Sequence, residues 1–184
     1  MGPEVPLPSD DELEPEHREL LANLPPLNVF RMVARSPRAL RPFMQLGAAV
    51  LSGPLDPRRR EIAVLRVAHA TRAEYEWAQH VQLARNAGVT EAEIEAIDKE
   101  EPVSSLDEEC NLICRVADEI SREVRLSDEA LGLSLDRYGP REAMEVILLV
   151  SYYNMVSRFL ESTRVEVEDA SLLEGQTPGK RWQR

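Results

Sequence analysis

Apolar residues recur along most of this chain at intervals of three and four, the period of a helix with one buried face, and no segment alternates strictly between apolar and polar as a half-buried strand does. The pattern predicts an all-α protein. A first helix is expected from a cap at Ser9 or Asp10 through Leu13, Leu20, Leu21 and Leu24, stopped by Pro25 and Pro26. Asn28 is placed to cap a short second helix carrying Val29, Phe30, Met32 and Val33. A third runs from Pro37 to about Leu51, where Gly47, Ala48 and Ala49 are small enough to let another helix come close, and Gly53 and Pro54 close it. Thr90 and Glu93 spell a capping box for a helix through Ile94 and Ile97. Ser105 or Asp107 opens the next, whose Leu106, Cys110, Ile113, Val116, Ala117 and Ile120 share a face. Ser127 caps a further helix that Gly139 ends, and Pro140 begins the most apolar run in the chain, to about Thr163. That helix must be central or at a subunit contact.

The stretch from Asp56 to Gly88 breaks the usual division of labour between faces. Its first helix buries Ile62, Leu65 and Val67 among small alanines yet carries Glu61 at its entry; its second starts near Ala73 and ends at Gly88. At about 100° per residue, Ala73, Glu76 and His80 line one face over two turns. A carboxylate one turn from an imidazole can raise its pKa or fix its tautomer, which suits general acid/base catalysis near neutral pH. The same spacing is also that of an ordinary surface Glu–His helix pair, worth a few tenths of a kcal/mol. Trp77 and Tyr75 stand near enough to supply stacking walls and a hydroxyl donor.

Composition narrows what such a site can serve. With 184 residues and 43% hydrophobic content, the chain can bury a core as one domain: a segment 1–24 with the first helix, a domain 25–165, and a polar tail 166–184 in which Trp182 is the candidate anchor. A net charge of -11 argues against a nucleic-acid surface. The run Arg58, Arg59, Arg60 reads as a solvated helix start or as an attractor for a small anion. Cys110 and Cys114 have neither redox-pair nor metal-ligand spacing and read as core or interface residues, so no metal is expected. No stretch reaches the ~18 uncharged apolar residues of a membrane span, and the start lacks a secretory pattern, so no membrane partner and a cytoplasmic location are expected.

Glu61, Ala73, Glu76 and His80, set in REIAVLRVAHATRAEYEWAQHVQLARNAGVTEAEIEAI, resemble the carboxymuconolactone decarboxylase family, which includes the alkylhydroperoxidase D-like proteins. The resemblance extends to LPPLNVFRMVARSPRALRPFMQLGAAVL before it and LLVSYYNMVSRFLEST after it, covering most of residues 20 to 165 of a long-form member. It implies that family's all-helical bundle, assembled as trimers or hexamers. Peroxidase members carry a CxxC pair where this chain has Ala73 and Glu76, with the positions of Glu61 and His80 relaying protons to the thiol. Both sulfurs are missing here, so alkylhydroperoxidase or peroxiredoxin-type antioxidant activity is the disfavoured alternative. The decarboxylase branch implies a small carboxylated lactone as substrate and no cofactor, since the lactone is its own electron sink. In that reading His80 is general acid/base, oriented by Glu76 or Glu61. Tyr75 and Trp77 contact substrate, and Arg66 either anchors the carboxylate or is a structural ion-pair partner. An isomerase or lactone hydrolase on the same scaffold, and a non-catalytic oligomeric protein, are the other readings. Two carboxylates near one imidazole favour its charged form while burial opposes it, so the direction of the His80 shift is left open by the sequence.

Overall fold

A computed structural model describes residues 4–168. Among these, every regular element is helical: a 3-10 turn at Asp10–Glu12, then α1 (Pro15–Ala22), α2 (Asn28–Ala34), α3 (Leu40–Leu51), α4 (Pro57–Thr71), α5 (Glu74–Asn86), α6 (Glu91–Lys99), α7 (Glu108–Glu123) and α8 (Asp128–Thr163). The all-α expectation holds.

Helix α4 is the hub, packed against α5, α6, α7 and α8. Asp56 starts it by accepting hydrogen bonds from the backbone N–H groups of Arg58 and Arg59 at 3.0 and 3.4 Å, and Pro57 occupies the first turn, where its missing N–H costs nothing. Every residue from Arg60 to Ala68 is buried. A helix enclosed on all sides must pair whatever polar groups it carries, and α4 carries Arg60, Glu61 and Arg66. It ends at Arg72, in the left-handed region at φ 56, where the Ala73 N–H bonds back to the Ala68 carbonyl at 2.9 Å. The short turn sets α5 directly beside α4.

The remaining boundaries follow local chemistry. Thr90 and Glu93 form the capping box of α6, Asp107 caps α7 through the Cys110 N–H at 2.9 Å, and Ser127 caps α8 through the Ala130 N–H at 3.1 Å. Helix α8 is broken at Gly139, whose φ of 72 and ψ of 168 only glycine adopts readily, and the apolar arm resumes at Pro140. That arm packs on α3, where Gly47 leaves the room a methyl would take from the Tyr152 hydroxyl, only 2.7 Å from the position of an added Cβ. Phe43 and Tyr152 rings meet there at 5.7 Å.

Three boundaries differ from the sequence reading. The expected first helix is split, because Pro15 can begin a helix but not continue one: Ser9 opens only the 3-10 turn, and α1 starts anew at Pro15. Asn28 is the first residue of α2, not its cap, and its side chain donates instead to the Glu166 carbonyl at 3.0 Å. Helix α3 starts at Leu40 because residues 36–39 close a turn, with the Ala39 N–H on the Ser36 carbonyl at 2.9 Å. The N-terminal segment packs Leu13, with Leu20 and Leu21 around it, on Val33, Ala34 and Leu40 as a satellite of the main core. Trp182 lies outside the described residues.

Candidate active site

Helices α4 and α5 run side by side, and the buried side chains they turn toward each other are charged. Glu61 on α4 has no solvent exposure, while Glu76 and His80 on α5 are 4% and 7% exposed. His80 Nδ1 lies 2.7 Å from Glu61 Oε2, and His80 Nε2 lies 3.5 Å from Glu76 Oε2. The imidazole is therefore held between two carboxylates, one on each ring nitrogen. The shorter contact places the Nδ1 proton on the Glu61 side and turns Nε2 toward Glu76. Arg60 flanks the group, its Nε 3.5 Å from Glu61 Oε1 while its guanidinium donates to the Leu51 carbonyl at 2.9 Å.

The electrostatics follow from burial opposed by pairing. Burial pushes the Glu76 carboxyl up to about 7, with Glu61 and Glu161 adding to the rise and His80 working against it. For His80, burial works against the charged ring, but Glu61 and Glu76 together outweigh it and Arg60, and the net shift is upward. This settles the direction that the sequence left open. Glu76 and His80 thus titrate as a coupled pair rather than as two independent groups. Glu61 Oε1 and Glu76 Oε2 are both buried and accept no hydrogen bond among the described residues, which leaves acceptors in the site for a donor.

The wall of the site is tyrosine, but not the one expected. Tyr153 of α8 meets His80 edge to face at 5.0 Å, and Tyr152 stacks on Tyr153 in the same manner at 5.4 Å. Burial raises the Tyr153 phenol well above its usual value, with Glu61 and Glu76 adding to the effect, so it stays a neutral donor. Tyr75 instead turns toward α2, where its hydroxyl accepts from the Val29 N–H at 3.2 Å, and Trp77 sits 6.5 Å from the His69 ring. Their places on α5 explain this, since they fall on stripes that flank the Glu76–His80 stripe. Trp77 lines a separate cavity of about 760 Å³ at the α4–α5 turn, with His69, Arg72, Ala73, Glu101 and Arg122.

Arg66 is fully buried and spent on structure. It holds Asp118 with two hydrogen bonds of 2.8 Å and donates to the Ile97 and Glu100 carbonyls at 2.8 and 3.0 Å. Of its two sequence readings, the ion-pair partner is the one the geometry has, and a substrate anchor it is not. Cys110 and Cys114 are buried on α7. Burial pushes the Cys110 thiol up to about 11 and the Cys114 thiol higher still, the opposite of what a reactive thiolate requires. Tyr152 and Tyr153 were not singled out as site residues in the sequence, where two adjacent tyrosines in an otherwise aliphatic helix were the signal available; Arg60 was read only as part of a basic helix start.

Residues 37–104 match the sequence model of the carboxymuconolactone decarboxylase family, a segment that contains Glu61, Glu76 and His80. No curated protein sequence matches the chain. Among solved structures, an uncharacterised peroxidase-related protein from Ralstonia eutropha, described as an alkylhydroperoxidase D core, superposes with a TM-score of 0.79 at 16% identity, over 97% of this chain and 100% of that one. A peroxidase-related protein from a Silicibacter species gives 0.79 at 16% identity, over 96% and 97%. An Agrobacterium tumefaciens protein of unknown function, proposed to serve in antioxidant defence, gives 0.63 at 21% identity, over 73% and 93%. The fold is that of the alkylhydroperoxidase D-like proteins, and the resemblance read from the sequence stands. No helix among the described residues is long and apolar enough to cross a membrane.

Proposed function

We propose that this chain, with its alkylhydroperoxidase D-like fold and its carboxymuconolactone decarboxylase segment, is an acid/base enzyme that acts on a small carboxylated lactone. The observation that carries the reading is the buried Glu61–His80–Glu76 group, with the Glu76 carboxyl held at about 7. A group poised there is half protonated near neutral pH, so it can both hold and deliver a proton. Glu61 fixes the ring and its tautomer, His80 and Glu76 share the mobile proton, and neutral Tyr153 offers a further donor beside them.

The chemistry balances without an added electron acceptor. As the bond to the carboxylate carbon breaks, carbon dioxide leaves and the bonding pair moves through the conjugated system onto the lactone carbonyl oxygen. Donors in a dry site stabilise that oxyanion. The pair then returns to form a carbon–hydrogen bond with the proton supplied by Glu76 or His80. An isomerase or lactone hydrolase would use the same proton pair.

A thiol peroxidase is the second reading, favoured by the descriptions of the structural neighbours. Against it stand Ala73 and Glu76 at the family's thiol positions, and the raised pKa of both thiols this chain does have. Incubation with carboxymuconolactone and related lactones, followed by carbon dioxide release and ring absorbance, tests the first reading. Thiol-dependent peroxide consumption without lactone turnover would favour the second.

A further inference from the structure

After α8 the segment reaches α2 and α5, and Glu168 places its carboxylate in a cradle of three donors. The Tyr75 hydroxyl donates to Oε1 at 2.9 Å, the Gln79 side-chain amide donates to Oε2 at 2.6 Å, and the Asn28 backbone N–H donates to Oε1 as well. Tyr75 and Gln79 are themselves 3% and 4% exposed. The donors are built into the core, while the carboxylate arrives from the segment that follows α8. Burial raises the Glu168 carboxyl above its usual value, against the hydrogen bonds from Tyr75 and Gln79 that favour its charged form.

Two details suit this cradle to a ligand. Tyr75 and Gln79 are one turn apart on α5, on the stripe adjoining that of Glu76 and His80, so the cradle and the acid/base pair lie on neighbouring faces of one helix. The Gln79 amide is oriented by its bond to the carboxylate, since its oxygen would repel an acceptor. That oxygen, Oε1, is buried and has no hydrogen-bond partner among the described residues. Glu168 satisfies the donors of the cradle and leaves its one acceptor unmet.

We propose that Tyr75, Gln79 and the Asn28 amide form a carboxylate-binding subsite, that Glu168 occupies it as an internal ligand, and that a small carboxylate with a hydroxyl beside the acid group competes for it. The hydroxyl supplies what Glu168 lacks, a donor for Gln79 Oε1. A tethered carboxylate is present at a millimolar-range effective concentration, so an external ligand meets a cradle that is only fractionally open. The proposal goes beyond the acid/base reading and does not rest on it, since a lactone ring oxygen is an ester acceptor and the subsite calls for a free hydroxyl.

Glycolate, acetate and the neutral glycolamide are suitable probes, with binding followed by ligand-observed NMR. Glu168→Ala is expected to bind glycolate about tenfold more tightly than the unaltered protein, with acetate weaker and glycolamide not held. That gain disappears in Glu168→Ala/Gln79→Leu and in Glu168→Ala/Tyr75→Phe. In the unaltered chain, saturating glycolate speeds amide exchange at residues 165–168. Should Glu168→Ala fail to fold, Glu168→Leu makes the same test, because its apolar side chain offers the donors of the cradle no acceptor. Equal glycolate affinity with and without Glu168, or a gain that survives loss of the Tyr75 hydroxyl and the Gln79 amide, overturns the proposal. Binding is read without turnover, so an unreactive lactone leaves the subsite standing, and a failed subsite leaves the acid/base reading standing.

Discussion

His80 Nδ1 and Glu61 Oε2 lie 2.7 Å apart across the α4–α5 contact, and the glutamate has no exposure to solvent at all. A carboxylate in that position is tolerated because the imidazole answers it. Removing the ring strands the charge, and breaking a buried pair from one side costs about 3–5 kcal/mol. His80→Ala is therefore expected to lower stability by roughly 3 kcal/mol in urea titrations. His80→Gln keeps a donor for Glu61 and loses far less, yet both variants lose turnover because neither can pass a proton. A His80→Gln enzyme working at the unaltered rate would reduce the histidine to a scaffold residue.

The pH dependence of stability carries the mark of Glu76. Its folded pKa of about 7 stands above the usual 4.5, so the folded protein holds a proton that the unfolded chain releases between those values. The stabilisation is fully present below about 4.5 and is lost as pH rises through about 7. His80, also raised, adds a loss of the same sign as pH climbs through its folded value. Urea midpoints across this range should fall with pH in the unaltered protein and fall less in Glu76→Gln. Identical profiles would mean that Glu76 is not held protonated by the fold.

The thiols give a prediction with no role for the active site. Replacing Cys110 and Cys114 with alanine should leave turnover intact, and in the native protein both should react with a thiol reagent only as fast as the fold opens. Burial, not a nearby cation, sets their behaviour. Loss of turnover in a folded double variant would reopen the thiol reading.

Helix α7 ends on Val124 at φ 67, with 86% of the residue exposed. A β-branched residue is strained in that region, at a cost of order 1–3 kcal/mol, and nothing is gained from its apolar side chain. Val124→Gly should raise stability by about 1 kcal/mol, a shift of roughly 2–4 °C in thermal midpoint for a chain of this size. A lower midpoint would show that Val124 makes a contact that compensates for its backbone.

What the sequence disclosed and what it withheld divide along chain distance. Asp56–Pro57, Thr90–Glu93, Ser127 and Gly139–Pro140 are legible because a cap or a break is decided by neighbours within one turn. Glu61, Glu76 and His80 could be placed in one site because α4 and α5 are joined by a turn too short to let them part. Tyr153 and Glu168 were not, since each reaches the site from an element whose packing only the folded chain decides. Arg66 shows the same limit: nothing local marks Asp118, 52 positions away, as the partner that takes up its guanidinium. Tyr75 was read as a hydroxyl donor to substrate, and in the fold its hydroxyl donates to Glu168, 93 positions away.

The apolar arm of α8 has a second face. Met144, Leu148 and Met155 are 50%, 38% and 45% exposed, and with Ser151 they follow a spacing of four, three and four, the seam of one helix against another. Leu46 of α3 adds 42% exposure on the helix packed beside it. The seam itself is free of charge in a chain of net charge -11, and a second copy of the same stripe would match its chemistry. The protein is expected to scatter light as a trimer or hexamer at micromolar concentration, well above the 20.8 kDa of one chain. Leu148→Glu should shift the population toward monomer, because closing the seam would then bury an unpaired carboxylate from every subunit. A unaltered chain that is already monomeric would mean that this stripe faces something other than its own copy.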